Sequence, residues 1–504
     1  MRYFCYIFAI CFTTLLSAQD EADTKKIMKD EKDPDEVREE KEKMLKEQMK
    51  KLEMEAEKGN RGAILEVGNN YFYGRGGVEQ DEKKAVYWYQ KGADLNSRQC
   101  QYNLAGCYVR GTGVAQDTNK ALELYMVAAD FGLQQANINA ALILDSLRKY
   151  EKARHYFKEA AQFDDARAIK KLAHYYEHGL GGKQDQSVAA QLYLKIAKSG
   201  DALAQLKMAD YYNQGQGVKL DFKESMRWLT MAAGNDNPEA QAKLGYCYMN
   251  GLGVKKDTQL GYKWYLRAAE KNFSPAQLAI GNCYAIGRAV PYDPEKAFHW
   301  YTKAAKAKNR QAIYNVGVAY ATGEGVVKDE KKALENYQKA AEMDYSEAMY
   351  TLGLLHLSGE LVKKDEQTAV IWLQKAAKAN HSEATRQLGM CFLRGLGVSK
   401  SISAGVTMLK KSALMGNSTA MVNLGHIHSD PNFEMASTKE AFKWFEKAAL
   451  AKDPEGSYQL AKAYKNGIGT EKNMKYAIML LREASNYGHS DARKMLIEIS
   501  KEEK

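Results

Sequence analysis

His174 and His178, four residues apart in "LAHYYEHG", are the pair whose type and spacing come nearest to chemistry. On a helix this spacing puts both imidazoles on one face, where they can share a metal ion. No carboxylate motif accompanies them and no third ligand is read beside them, so no metal site and no cofactor is expected. His426 and His428, two apart, point to different sides of their segment. Cys100, Cys107, Cys247, Cys283 and Cys391 are an odd set, which cannot pair fully within one chain. Cys100 and Cys107 are about 10 Å apart on a helix, too far for a disulfide. Six tryptophans, Trp88, Trp228, Trp264, Trp300, Trp372 and Trp444, could stack sugars. The many Gly-x-Gly turns could cradle phosphate, but they lie between helical patterns rather than after a strand.

Each of these possibilities weakens once the register of the chain is read. Ala93 and Ala129 are 36 residues apart, and Ala161, Ala197, Ala233, Ala269, Ala305, Ala341, Ala377, Ala413, Ala449 and Ser485 continue at the same interval. One short step of 32 separates Ala129 from Ala161. Twelve units result, each reading as helix, turn, helix. All six tryptophans fall in one slot of the unit, and Cys107, Cys247, Cys283 and Cys391 in another. Shared slots predict packing between units. Asp81, Asp117, Asp185, Asp221, Asp257, Asp293, Asp329 and Asp365 precede the second helices, and Ser401, Ser437 and Asn473 take the same place later. All three residue types cap helices, so a structural role is expected for them.

The unit from Pro238 reads A-x-x-x-L-G-x-x-Y-x-x-G-x-G-V-x-x-D, followed by the aromatic and Ala-Ala positions of its second helix, when averaged with its neighbours. That pattern resembles the Sel1-like repeat, a relative of the tetratricopeptide repeat, over about 430 residues. The resemblance implies an all-α fold, an α/α superhelical solenoid of about twelve 36-residue hairpins whose first helices line the concave side. It further implies an adaptor or assembly scaffold, often exported or membrane-associated. Some bacterial relatives are labelled β-lactamase-like, but no Ser-x-x-Lys nucleophile in a supporting context is found here, so no enzyme is expected.

Residues 1–18, "MRYFCYIFAICFTTLLSA", have the layout of a cleaved signal peptide and are too short to span a bilayer. Residues 19–58 form a charged segment and capping helix with a thin apolar line, Val37, Leu45, Met49 and Leu52. The repeats occupy 59–489, and 490–504 read as a C-terminal capping helix. Export is expected, to the periplasm or medium of a bacterium or the ER lumen or secretory pathway of a eukaryote. Net charge is +10, while residues 19–58 hold 11 Lys/Arg against 15 Asp/Glu, so the body is more basic than the total. An exported chain is not expected to meet nucleic acid; acidic proteins, anionic lipid or acidic polysaccharide suit the charge better.

Two departures stand out. "LDSLRKYEKA" loses four turn residues, both glycines and the cap, and "SDPNFEMASTKEA" replaces both glycines with Pro431 and Phe433. The second is a candidate contact loop. The main candidate surface follows from the helical wheel: opposite the buried slot of Leu244 lie Lys243, Tyr246 and Asn250. Equivalent slots hold Lys171, His174 and His178; Lys207, Asp210 and Gln214; Gln387, Met390 and Arg394; and Asn423, His426 and Asp430. Buried slots repeat while these vary, as a partner-reading face would. The expected function is an exported scaffold that binds other proteins in an envelope or membrane complex. Carbohydrate or anionic-polymer binding and a weak β-lactamase-like hydrolysis are its alternatives.

Overall fold

The computed structural model describes residues 34–502. The expected signal peptide, 1–18, residues 19–33 of the charged segment and the last two residues of the tail lie outside the described residues. So does the side chain of Val37. Among the described residues there are 26 α-helices and no strand, most of them 13 residues long. They form an all-α solenoid of consecutive hairpins. The described residues up to Trp228 make one compact unit and those from Leu229 a second.

The hairpin Pro238–Asn250, Thr258–Glu270 shows why the chain turns where it does. Gly251 adopts φ 75°, and its N–H donates to Cys247 O at 2.8 Å, which ends the first helix. Asp257 N–H then reaches back to Tyr248 O at 2.9 Å, while the Asp257 carboxylate accepts from Leu260 N at 2.9 Å. The side chain that starts the second helix therefore sits on a backbone already tied to the first. The same capping bond is made by Asp81, Asp117, Asp185, Asp221, Asp293, Asp329 and Asp365. Ser401, Ser437 and Asn473 make it too, with weaker hydroxyl acceptors in the first two. The repeated acids are caps.

Between hairpins the second turn glycine brings backbone against backbone. A Cβ on Gly397 would lie 2.0 Å from Glu366 O, at the start of the preceding hairpin's second helix. Gly217 meets Gln186 O and Gly325 meets Pro294 O at the same 2.0 Å. Besides shaping the turn, these glycines are contact points between repeats.

Alanine does the corresponding work along the helices. Ala232, Ala268, Ala304, Ala340, Ala376 and Ala448, from the Ala-Ala slot, are fully buried. Large apolar side chains fill the layers between: Ile313, Tyr337, Leu352, Leu373 and Leu388 share one core cluster spanning three hairpins. The stack holds through neighbours, as a quasi-one-dimensional array must.

At the start of the array, helix Pro34–Glu57 buries Met49 and Ala56 in the same cluster as Ile64 and Trp88. At the other end, Ser490–Glu502 buries Ala492 and Ile499 with Leu480 and Leu481. The shortened unit folds as Gln134–Ser146 and Tyr150–Ala161, joined by three residues, and Lys149 makes no side-chain cap. The loop after Ser429 is held from inside: Phe433 and Met435 pack on Leu409, Leu424 and Ile427, and buried His428 contacts Met435 O through Nδ1 at 2.8 Å. Phe433 and Met435 are thus half-buried against that core, while Pro431, Asn432, Glu434 and Ala436 are exposed.

Candidate interaction face

Helical geometry separates two sides of every first helix, and the residues expected to face a partner divide as the wheel predicts. All fifteen are exposed or half-buried, and none is in the core. Their neighbours in the buried slot, Leu172, Met208, Leu244, Leu388 and Leu424, are at most 4% exposed. Tyr246 is 55% exposed.

In the first unit, Lys171, His174 and His178 lie on Ala166–His178, and Lys207, Asp210 and Gln214 on Ala202–Gln214. In the second, Lys243, Tyr246 and Asn250 lie on Pro238–Asn250. Gln387, Met390 and Arg394 lie on Ser382–Arg394, beside Asn423 and His426 on Ser418–Ser429. Asn423 Nδ2 donates to Met390 Sδ at 3.4 Å, so these two sets form one surface. Asp430 differs from the others: it is the C-cap of its helix and accepts from Asn432 N at 2.9 Å, turned into the loop.

Several of these side chains already have work within the array. Lys171 Nζ donates to Asp145 Oδ2 at 2.8 Å, and Tyr175 OH to Asp145 Oδ1 at 2.6 Å. One hairpin on, Lys207 Nζ donates to Glu177 Oε1 at 2.9 Å. Lys243 pairs with Glu239 at 3.1 Å within its own helix. Burial would raise the pKa of Asp145, but hydrogen bonds from Lys171 and Tyr175 outweigh it and hold the carboxyl below its usual range. Burial, reinforced by that carboxylate, pushes Tyr175 upward. Asp145 and Glu177 were passed over in the sequence. Once the four missing turn residues are allowed for, the two share one slot, as do Lys171 and Lys207, and that register is the signal that finds them.

A different inter-hairpin clamp recurs in the second unit. His381 Nδ1 accepts from Ala384 N at 3.0 Å while Nε2 faces Glu347 Oε2 at 2.9 Å. His489 repeats this with Ala492 N at 3.1 Å and Glu455 Oε2 at 2.8 Å. Tyr350 and Tyr458 stack on the two rings at 4.7 and 4.5 Å. These histidines are helix caps that grip the preceding hairpin.

His174 and His178 have no such cap to serve. Their ring centroids are 4.4 Å apart, and Glu177 Oε2 lies 3.9 Å from His174 Nδ1 and 3.6 Å from His178 Nε2. Burial, then the neighbouring His178, pulls the pKa of His174 down.

The tryptophans occupy the second helices. Trp88 and Trp228 are buried; over the half-buried rings of Trp264, Trp300, Trp372 and Trp444 lie Arg267, Lys303, Lys375 and Lys447, at 4.7, 4.4, 4.1 and 4.2 Å. A ring with its own cation at i+3 is not an open platform for a sugar. Among the described residues all five cysteines are free thiols, four of them buried. Burial pushes Cys107 and Cys283 up to about 11, which makes them inert packing groups.

Comparison with known proteins agrees with the repeat architecture. The Sel1 repeat family matches at residues 62–97, 98–130, 144–162, 166–201, 202–237, 238–273, 274–309, 310–345, 346–381, 382–417, 418–453 and 454–489. A solved protective antigen of uropathogenic Escherichia coli strains, described as displaying an SLR fold, is 27% identical over 90% of this chain and 91% of that one, with a TM-score of 0.57. A Sel1 repeat protein from Oxalobacter formigenes is 34% identical over 48% of this chain and 99% of its own, with a TM-score of 0.46. Among curated proteins, HRD3B of Arabidopsis thaliana, an ERAD-associated E3 ubiquitin-protein ligase component, is 31% identical over 134 residues. That stretch is 27% of this chain and 16% of HRD3B. HRD3A, from the same plant, is 36% identical over 62 residues, 12% of this chain and 9% of its own. The chain thus spans less than a fifth of either curated relative.

Proposed function

Since the chain belongs to the Sel1 repeat family, we propose that it is an exported, non-enzymatic scaffold that docks other proteins on the exposed face of its first helices, the concave side of the solenoid. The observation that carries this reading is the contrast within each first helix. The packing slots hold small or apolar residues, whereas the outward slots present Tyr246, Arg394, His426 and Gln214 to solvent on a rigid support. Repetition supplies area and spacing rather than a preorganised pocket for chemistry. A component of a larger protein assembly, as HRD3B is described as a component of an E3 ubiquitin-protein ligase, is the role that fits such a surface.

The ion pairs decide how this is tested. Reversing Lys171 or Lys207 would set two carboxylates against each other and disturb the array itself. Tyr246→Ala combined with Arg394→Glu avoids those pairs. The double variant is expected to weaken a partner captured from the native host at least about tenfold, since exposed aromatic and arginine anchors carry most interface energy. Its melting temperature should stay that of the wild type, and undiminished capture would remove this face from consideration.

The cations above the tryptophan row favour one second reading, retention of an acidic polymer on the second helices. Binding to such a polymer that falls steeply with salt, and that Tyr246→Ala with Arg394→Glu leaves intact, would support it over the first.

A further inference from the structure

We propose that His174, Glu177 and His178 form a binding site for a divalent transition-metal ion, with zinc the ion that two imidazoles and one carboxylate suit best. The site does not depend on the docking role proposed above. Its three members lie on the last turns of helix Ala166–His178, at i, i+3 and i+4. One ligand atom from each lies within 4.8 Å of the other two. Ligands of a tetrahedral zinc ion, each about 2.0 Å from the metal, stand roughly 3.3 Å apart. The separations of 3.6 and 3.9 Å from Glu177 to the two imidazoles are therefore closed by small rotations about side-chain bonds.

The carboxylate is the fixed member. Glu177 is only 13% exposed, whereas the two histidines are 47 and 52% exposed. Tyr193 OH donates to Glu177 Oε2 at 3.1 Å, and Lys207 Nζ to Oε1 at 2.9 Å. Such outer bonds set the angle at which a carboxylate meets an ion. Lys207 and Lys171 also bring positive charge near, so the site should hold its ion more weakly than a closed structural zinc site. The outward side of the two rings leaves coordination positions for water or for a side chain of a docked protein.

This donor set belongs to one helix. The same slots hold Asp210, Asn213 and Gln214 in the next first helix, and Tyr246, Met249 and Asn250 in the one after. A general requirement of the repeat would have placed it in every unit.

Calorimetry with zinc chloride and cobalt(II) absorption, on the full chain without an affinity tag and after chelator treatment, test the site. The expected result is one equivalent of zinc, competed by cobalt that gives a low-symmetry visible band. His174→Ala and His178→Ala should each weaken uptake at least about tenfold, and Glu177→Gln by about tenfold to a hundredfold. His155→Ala, on the exposed side of another helix, should change nothing. Circular dichroism of the metal-free variants should match the wild type. Failure of the wild type to take up one equivalent, or equal uptake by the combined His174→Ala and His178→Ala variant, would overturn the proposal.

Discussion

Gly397→Ala is expected to destabilise the second unit by about 3 kcal/mol or more, far beyond the usual loss for adding one methyl group. Two effects combine at this residue. Its backbone has φ +66°, where an L side chain costs roughly 1–2 kcal/mol. In addition, the new Cβ would meet Glu366 O at 2.0 Å, Glu366 C at 2.4 Å and Gln367 N at 2.9 Å. These are backbone atoms opening helix Glu366–Lys378, so no side chain can rotate away. Relief requires the two hairpins to move apart, and that separation uncovers the layer between them.

Gly416→Ala isolates the first effect. That glycine has φ +87° with nothing within 4 Å of the added Cβ, so only the backbone term of about 1–2 kcal/mol applies. Urea denaturation of both variants, with equal slopes, should place the Gly397→Ala midpoint well below that of Gly416→Ala. Similar midpoints would mean that the repeats do not touch through their turns. The chain contains its own exceptions, Ala289 and Leu361, which take φ of 67° and 58° at the equivalent position. In those hairpins the junction accommodates a Cβ, so the tight approach is a property of individual steps.

The second large effect is expected from Leu352→Ala, at about 2–5 kcal/mol. Leu352 is fully buried in the cluster with Ile313, Tyr337, Leu373 and Leu388, which come from three successive hairpins. Its removal leaves a cavity that rigid neighbouring helices cannot close. In an array held by nearest-neighbour contacts, the loss should be local. Hydrogen exchange is expected to speed up in residues 310–394 while amides of 454–486 keep their protection. Leu414→Ala, at a side chain 86% exposed, should stay within about 0.5 kcal/mol of wild type. Uniform loss of protection across the unit would instead indicate one cooperative core.

Periodic features were legible in the sequence because each is written many times. The Ala-Ala register, the capping acids with their Ser401, Ser437 and Asn473 substitutes, and the shared tryptophan and cysteine slots all follow from position within the unit. What escaped was contact between units. That Gly397 abuts Glu366 O depends on how hairpins stack, which no single-helix wheel contains. Phe433 read as a surface substitution for glycine, yet it turns inward because a longer side chain there can reach Leu424 and Ile427. The outward face was legible from periodicity, but its ion pairs were not: Lys207 and Glu177 are 30 residues apart and meet only across adjacent helices. Glu177 was overlooked for a similar reason. A carboxylate one residue before His178 looks misplaced on a strip of sequence, yet its side chain swings back between both rings.

The most direct measurement of the docking claim is a cross-linking and hydrogen-exchange footprint of the full chain with a protein captured from its native host. The account predicts protection and cross-links on the outward slots of the first helices, in 171–178, 207–214, 243–250 and 387–394, with the second-helix row around Lys303, Lys375 and Lys447 unchanged. Protection confined to that row, with the first helices exchanging as in the free protein, would contradict it.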